Sequence, residues 1–171
     1  MTSKPKHRAF IALGSNLQNP ELQLRTTINE LNALPQTKLI KVSSLYKTAP
    51  VGYDKQPDFI NAVAEIDTTL SAPALLAALL ELENAHGRER PFPNAPRVLD
   101  LDLLLFDDVA MQTNTLTLPH PRMHLRGFVM QPLAEIAPDL IIPNIGKVRD
   151  IALSCADQSV VKMHDPDKKP A

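Results

Sequence analysis

The sequence predicts an α+β fold in which helices pack on one antiparallel sheet. Segments rich in β-forming residues alternate along the chain with segments whose leucines recur every three or four residues. Prolines number 16 and glycines only five, which favours well-defined loops. A length of 171 residues with 44% hydrophobic residues suits one domain, which we expect over residues 1–160, followed by a frayed tail over 161–171.

The order of the elements narrows the fold class. The predicted elements are a strand at Arg8–Leu13, a helix from Pro20 to Leu34, strands at Leu39–Tyr46 and Phe59–Asp67, a helix from Pro73 to about His86, and a strand at Val98–Phe106. This βαββαβ order is typical of a ferredoxin-like sheet with helices on one face. A short strand at Leu116–Leu118, a helix at Phe128–Ile136 and an extended segment at Asp139–Pro143 are predicted as C-terminal additions.

Composition excludes several classes of function. The formal net charge is −1, so a surface that grips long nucleic acid is not expected. No apolar run approaches the length that crosses a bilayer, and the N-terminus lacks a secretory apolar segment. The single cysteine, Cys155, cannot form an intramolecular disulfide. We therefore expect a cytoplasmic protein without nucleic acid or membrane partners.

Two aspartates stand two positions apart in the last predicted strand of the core. Residues i and i+2 of a strand share a face, so Asp100 and Asp102 would project together with Cα atoms roughly 7 Å apart. The alternating leucines from Leu99 to Leu105 would face the opposite way. Neighbouring like charges favour a bound cation, and Mg²⁺ commonly takes one or two carboxylates together with substrate phosphates. A solvent-facing strand with incidental acids remains the alternative.

Basic residues flank this strand on two loops. Such side chains suit phosphate oxygens, and around two acidic residues they indicate chemistry on a metal-bound polyphosphate. Surface salt bridges are the alternative, and for Arg122 and His124 we expect plain solvent exposure. The basic residues are Arg88, Arg90 and Arg97 before the strand and His120, Arg122, His124 and Arg126 after it.

Other familiar motifs are absent from the chain. It has no phosphate-binding glycine loop, no dinucleotide fingerprint, no metalloprotease helix motif and no cysteine pair. Gly14-Ser15-Asn16 is interpreted as a turn. Phe59 and Phe128 could stack on a flat heterocycle whose edge Asn61 reads, although core packing would explain both aromatic residues as well.

The sequence resembles the 6-hydroxymethyl-7,8-dihydropterin pyrophosphokinase family from about Phe10 to Pro143. The matching segments are ALGSNL at 12–17, TAPVGYDKQPDFINAV at 48–63, ENAHGRERPFPNAPRVLDLDLLLF at 83–106 and LPHPRMHLRGFVMQPLAEIAP at 118–138. The resemblance implies a monomeric ferredoxin-like enzyme that transfers the β,γ-diphosphate of ATP to the pterin hydroxymethyl group. It implies ATP as co-substrate with two Mg²⁺ ions.

The resemblance also implies roles for individual residues. Asp100 and Asp102 would bind the metal, with Arg88 and Arg97 as catalytic phosphate contacts. The pterin would be bound by Thr48, Ala49, Val51, Phe59, Asn61 and Phe128. ATP would be bound by Glu83, Arg88, Arg90, Arg97, Leu103, Leu116, Thr117, His120 and Arg126.

The sequence departs from the family pattern at three positions. Asn94 stands where tryptophan is frequent, and Phe59 and Pro121 stand where tyrosine is common. These changes affect lid closure and ligand affinity more than the reaction, and Phe92 could replace the missing tryptophan contact. Both long loops, Lys47–Asp58 and Arg88–Arg97, are expected to close over the ligands.

Two other classes share part of this pattern. A metal-dependent phosphohydrolase would use Asp100 and Asp102 but would transfer phosphate to water. A non-catalytic nucleotide- or RNA-binding ferredoxin-like module would need surface aromatic residues, and only seven of the 171 residues are aromatic.

Overall fold

The computed structural model describes residues 6–49, 56–87 and 98–163. Its strands are β1 His7–Ser15, β2 Thr37–Val42, β3 Tyr46–Thr48, β4 Phe59–Thr68, β5 Asp100–Phe106, β6 Met111–Gln112, β7 Thr117–Leu118, β8 Ile141–Ile142, β9 Gly146–Lys147 and β10 Val160–Lys162. Its helices are α1 Pro20–Asn32, α2 Ala72–Ala85, α3 Gly127–Ile136 and α4 Val148–Ser154, with a 3₁₀ turn at Met123–Leu125.

The main sheet is antiparallel and has the order β10-β3-β4-β1-β5, with β2 also paired to β4. The ferredoxin-like βαββαβ prediction is therefore confirmed, because the second strand position is filled jointly by β2 and β3. The helix starts are confirmed too. Asn19 and Ser71 cap the first turns of α1 and α2, and each helix has a proline in its first two positions.

One predicted strand, Leu39–Tyr46, is in fact two. The side chain of Ser43 interrupts it: its Oγ accepts a hydrogen bond from the Val63 backbone N–H at 2.9 Å and donates one to the Ser44 carbonyl at 2.8 Å. The Ser43 hydroxyl thus accepts a hydrogen bond that a backbone carbonyl of the neighbouring strand would otherwise accept. β2 consequently pairs with the far end of β4, and β3 pairs with its beginning.

Both faces of the sheet are covered, whereas the sequence predicted helices on one face. The first core packs α1 and α2 against one face and includes Ile11, Leu31 and Leu79. The second core packs α3 and α4 against the other face and includes Phe10 and Leu133. The C-terminal additions are therefore structural, since they bury a sheet face that would otherwise be exposed.

A β-bulge changes the side-chain alternation in β5. The pairing of β1 with β5 shifts register between Phe10 and Ile11, which pair with Leu105 and Leu103. Leu104 and Leu105 consequently both belong to the second core. The prediction that Leu105 faces the same way as Leu103 is wrong, because an extra residue in one strand reverses the faces beyond it.

The C-terminal strand extends the sheet past the predicted domain boundary. β10 pairs with β3, so Val161 and Lys162 lie in the sheet rather than in a frayed tail. Residues 164–171 lie outside the described part of the chain. Within the described ranges, none of the helices combines the length and apolarity needed to cross a membrane.

The position of α3 predicts a large stability effect. Leu133 is completely buried between α3 and the sheet, so Leu133→Ala should lower the free energy of unfolding by about 2–4 kcal/mol. The matched control is Leu153→Ala on α4, where the side chain is 73% exposed, and its effect should stay within about 0.5 kcal/mol. Urea unfolding followed by circular dichroism measures both. Equal effects would contradict a core between α3 and the sheet.

Candidate active site

Strand pairing places polar residues in one row across the sheet. Tyr46 pairs with Asn61, Asn61 with Gly14, and Gly14 with Asp100. Directly paired residues share a face, and the neighbouring pair of Ala12 with Asp102 identifies this face as the one that α3 covers. Asp100 and Asp102 thus share a face, as predicted.

A cavity of about 460 Å³ opens above this row. Its volume lies within the range of small-molecule sites. Its floor comes from β1, β3, β4 and β5, and its other wall comes from the residues around the start of α3. The lining residues are Gly14, Thr48, Ala49, Phe59, Asn61, Asp100, Arg122, Leu125, Arg126, Phe128 and Gln158.

Asn61 is held in one orientation at the cavity floor. Its Nδ2 donates a hydrogen bond to Thr48 Oγ1 at 2.9 Å, and the Asn61 residue is only 5% exposed. Beside it, a Cβ atom on Gly14 would lie 3.1 Å from Asn61 Oδ1, closer than most real contacts of such atoms. Glycine at position 14 therefore leaves space for this amide, and the turn interpretation of Gly14-Ser15-Asn16 is wrong for Gly14 and Ser15, which belong to β1.

Two aromatic side chains, one from the sheet and one from α3, line the cavity. Phe59 begins β4 and Phe128 lies in the first turn of α3, and both are only partly buried. The Arg126 guanidinium carbon lies 5.6 Å from the centroid of the Phe128 ring, within cation–π distance. The cavity thus combines aromatic faces, an amide edge and a cation, which suits a flat, polar heterocycle.

His120 lies against the aspartate strand without adding charge. Burial, followed by the nearby Arg126 and Arg122 cations, lowers the pKa of His120 to about 4, even though Asp100 acts in the opposite direction. Its Nδ1 accepts the Arg122 backbone N–H at 3.2 Å. The neutral ring therefore carries its proton on Nε2, which lies 3.9 Å from Asp102 Oδ1. His120, one of the residues predicted to supply positive charge, is thus neutral at physiological pH.

Glu83 is buried rather than on a helix surface. It is 2% exposed, and its Oε2 accepts the Leu101 backbone N–H at 2.7 Å. Leu101 lies between the two aspartates, so Glu83 fixes the backbone that carries them. A buried carboxylate that accepts a backbone N–H at this point positions the acidic strand.

The other predicted nucleotide residues lie away from the cavity. Leu103 and Leu116 are buried in the first core, on the opposite face of the sheet, and Thr117 begins β7. Val51, Arg88, Arg90 and Arg97 lie outside the described residues, as do Phe92 and Asn94. Among the described residues, the cavity therefore brings together Thr48, Ala49, Phe59, Asn61, Asp100, Arg126 and Phe128, but not Leu103, Leu116 or Thr117.

Four cavity residues were not assigned to the site from sequence. Gly14 was interpreted as a turn residue and Arg122 as simply exposed, whereas both line the cavity, as do Leu125 and Gln158. Arg122 and Leu125 lie in the loop after β7 that also carries His120 and Arg126, so their place in the sequence could have indicated that they belong to the site. Gln158 is distant in sequence and no pattern marks it.

Comparison with known proteins identifies the family. The family model for 7,8-dihydro-6-hydroxymethylpterin-pyrophosphokinase (HPPK) matches residues 10–138. The chain belongs to this family. Curated relatives named 2-amino-4-hydroxy-6-hydroxymethyldihydropteridine pyrophosphokinase are 44% identical in Haemophilus influenzae and 39% identical in Pseudomonas aeruginosa. Each comparison covers 91% of this chain, with 98% and 96% of the respective relative.

Solved structures support the fold of the chain. The crystal structure of Plasmodium falciparum HPPK-DHPS with pteroate matches 90% of the chain at a TM-score of 0.72 and 13% identity. The chain spans only 43% of that longer protein, so the likeness is one of fold. The family confirms the prediction of an ATP-dependent pyrophosphokinase of folate biosynthesis, and enzymes of this family generally need Mg²⁺.

A carboxylate on α3 connects the cavity wall to the sheet. Glu135 accepts hydrogen bonds from the Ser44 backbone N–H and hydroxyl, each at 3.0 Å, and from the Tyr46 hydroxyl. Partial burial acts to raise the pKa of Glu135, but these bonds and Lys162 lower it overall. Burial, together with the Glu135 carboxylate, raises the pKa of Tyr46. Because Tyr46 pairs with Asn61, this network connects α3 to the cavity floor.

The lowered pKa of Glu135 predicts acid-dependent stability. A carboxyl with a lowered folded-state pKa stabilises the fold above its ordinary value of 4.5, and this contribution is lost as pH falls through the lowered value. Glu135→Gln should therefore cost about 1 kcal/mol near neutral pH, and the difference from wild type should shrink below about pH 4.5. Urea unfolding across pH 3–7 measures it. A difference independent of pH would contradict a charged Glu135 in this network.

Proposed function

We propose that this protein transfers the β,γ-diphosphate of ATP to the hydroxymethyl oxygen of 6-hydroxymethyl-7,8-dihydropterin and releases AMP. The observation that carries the proposal is the row of Asn61, Gly14 and Asp100 on three adjacent strands. Asn61 on β4 lies two strands from Asp100 on β5, with Gly14 of β1 between them. An amide that can read a heterocycle therefore shares a cavity with an acidic group suited to metal and phosphate. One cavity can therefore hold the pterin with its hydroxymethyl group directed toward the acidic strand.

The pterin is proposed to lie between Phe59 and Phe128. The flat ring would stack on both aromatic faces, and Asn61 Oδ1 would accept a hydrogen bond from a ring N–H, since Asn61 Nδ2 is already bonded to Thr48. Backbone groups near Ala49, and at Val51 outside the described residues, would meet the ring edge. Partial exposure of both phenylalanines leaves their faces accessible to the ring.

The donor set fits Mg²⁺. The described residues contain no cluster of three or more His, Cys, Asp or Glu side chains that could hold a metal. Asp100 and Asp102 supply hard oxygen ligands on one face, as expected for Mg²⁺ shared with substrate phosphates. When bound there, Mg²⁺ would neutralise phosphate charge and orient the reacting groups; we propose two ions.

Around the polyphosphate, cationic side chains supply the remaining stabilisation. Arg126 and Arg122 line the cavity beside Asp100, and Arg88, Arg90 and Arg97 are proposed as further phosphate contacts on the basis of the family resemblance. Neutral His120 can donate a hydrogen bond from Nε2 without repelling these arginines. Glu83, Leu103, Leu116 and Thr117 would lie at the nucleotide side.

The reaction balances without a protein nucleophile. The hydroxymethyl oxygen forms a bond to the β-phosphorus of ATP, and the bond from that phosphorus to the oxygen bridging the α-phosphorus breaks. AMP departs with the bridging oxygen, and the hydroxyl proton is lost. Positioning and charge neutralisation provide most of the catalysis in such transfers, so a strong general base is not required. Proximity of Asp102 would favour late loss of that proton.

The cellular setting is also a proposal. The buried, free Cys155 and the net charge of −1 support a reducing cytoplasmic environment without nucleic acid partners. The family resemblance supports a monomer. Size-exclusion chromatography with light scattering would measure the oligomeric state.

The nucleotide products test the function directly. With MgATP and the reduced pterin, the protein should form AMP and pterin diphosphate in equal amounts, and AMP should depend on the pterin. Chromatography of the products at several times measures both. ADP with inorganic phosphate, or nucleotide turnover without the pterin, would indicate the phosphohydrolase alternative instead.

Asp102→Asn tests the acidic pair. Removing one charge while keeping the side-chain size should lower kcat by at least about 100-fold, because the metal site loses a ligand charge. Asp108→Asn is the matched control, since Asp108 is exposed in the turn after β5. Binding of Mn²⁺ with ATP, measured by electron paramagnetic resonance, should weaken only in Asp102→Asn. Near-normal turnover of a folded Asp102→Asn protein would contradict the assigned role.

A further inference from the structure

A segment near the C-terminus crosses one side of the cavity. We call residues 155–162 the C-terminal strap; it follows α4 and ends in β10. The strap begins at Cys155, whose Sγ lies 3.4 Å from the His124 carbonyl oxygen. The residues matched by the family model end at Pro138, so the strap lies beyond them.

Gln158 in the strap makes two hydrogen bonds to the opposite cavity wall. Its Oε1 accepts the Gly127 backbone N–H at 2.7 Å, and its Nε2 donates to the Leu125 carbonyl at 2.9 Å. The first N–H groups of a helix have no partner inside the helix, and Arg126 at the start of α3 makes no side-chain cap. Gln158 therefore caps α3 from 31 residues away in the sequence.

The strap also packs tightly on the start of α3. A Cβ atom on Gly127 would lie 3.0 Å from Gln158 Oε1, 3.1 Å from Gln158 Cβ and 3.2 Å from Val160 Cγ2. These spacings are tighter than most real contacts of a Cβ atom, so a side chain at position 127 would require the strap to shift. The strap and the turn that carries Arg126 and Phe128 are thus in direct contact.

At its other end, the strap joins the cavity floor. Val160 pairs with Thr48, and Thr48 Oγ1 accepts the hydrogen bond from Asn61. The strap therefore connects the wall that bears Phe128 to the strand that orients Asn61. The strap thus contacts both sides of the space between Phe128 and Asn61.

We propose that Gln158 is a positioning residue for the pterin, and that the C-terminal strap sets the distance between Phe128 and the Asn61 side of the pocket. The inference rests on the proposed function. Gln158 holds Leu125 and Gly127 on either side of Arg126, so it fixes the direction in which Arg126 and Phe128 enter the cavity. Loss of its bonds increases this distance and weakens pterin binding, while the metal and nucleotide groups on β5 stay in place.

Gln158→Met tests the proposal with little change in volume. Methionine keeps the packing on Gly127 but loses both hydrogen bonds. Because Gln158 is exposed, the variant should fold, and the loss of the cap on α3 should lower its urea midpoint only slightly. The KM for the pterin should rise roughly three- to tenfold, with kcat within about twofold of wild type. The KM for ATP should change less than the KM for the pterin, because Arg126 is only one of several proposed phosphate contacts.

Two further variants separate the bonds from the packing. Gln158→Glu keeps an acceptor for the Gly127 N–H at the helix N-terminus, where negative charge is favourable, but it cannot donate to Leu125. Its pterin KM should lie between wild type and Gln158→Met. Ser159→Ala, a change at the adjacent exposed residue, is the matched control and should behave as wild type.

Direct pterin binding completes the test. The dissociation constant, measured from pterin fluorescence with a non-hydrolysable ATP analogue present, should change in parallel with the KM. If wild type forms pterin diphosphate and Gln158→Met has an unchanged pterin KM, the positioning role is overturned and the proposed function stands. An equal rise in both KM values with a strongly lowered urea midpoint would also overturn it, because that result indicates general destabilisation. Failure of the wild type to bind the pterin would overturn both.

Discussion

Gly14 lies between Asn61 and Asp100 on three adjacent strands, and this pairing determines the geometry of the site. The absent side chain leaves space for the Asn61 amide, and the antiparallel register sets the distance from that amide to the first aspartate. A register shift of one residue would turn these side chains to the opposite face, into the first core. The extensive pairing of β1 with both β4 and β5 therefore makes the site as rigid as the sheet.

The second core determines where the remaining groups lie. α3 packs on the same sheet face as the polar row, and its first turn carries Phe128 to the edge of the cavity. Glu135 holds one end of α3 to Ser44 and Tyr46, and Gln158 holds the other end. Both attachments lead back to β3, the strand beside Asn61. The first turn of a helix outside the βαββαβ core, with the segment before it, thus forms one wall of the binding site.

Not every basic residue of the site carries a positive charge. His120 is neutral because it is buried among arginines, so permanent positive charge comes from the arginine side chains. The acidic residues stay on rigid β5, whose backbone Glu83 fixes at Leu101. Fixed acidic groups with cationic groups around them are the arrangement that stabilises a transferred phosphoryl group.

The sequence by itself determined the order of the elements, the shared face of Asp100 and Asp102, and the family, because these depend on local periodicity and short motifs. It also indicated Phe59, Asn61 and Phe128, which lie in or beside such motifs. Tertiary structure decided the split of the second strand at Ser43, the bulge that reverses Leu105, the burial of Glu83 and the neutral state of His120. It also decided that Gln158 belongs to the cavity. Each of these depends on contacts between residues far apart in the chain, where no local spacing records which atoms meet.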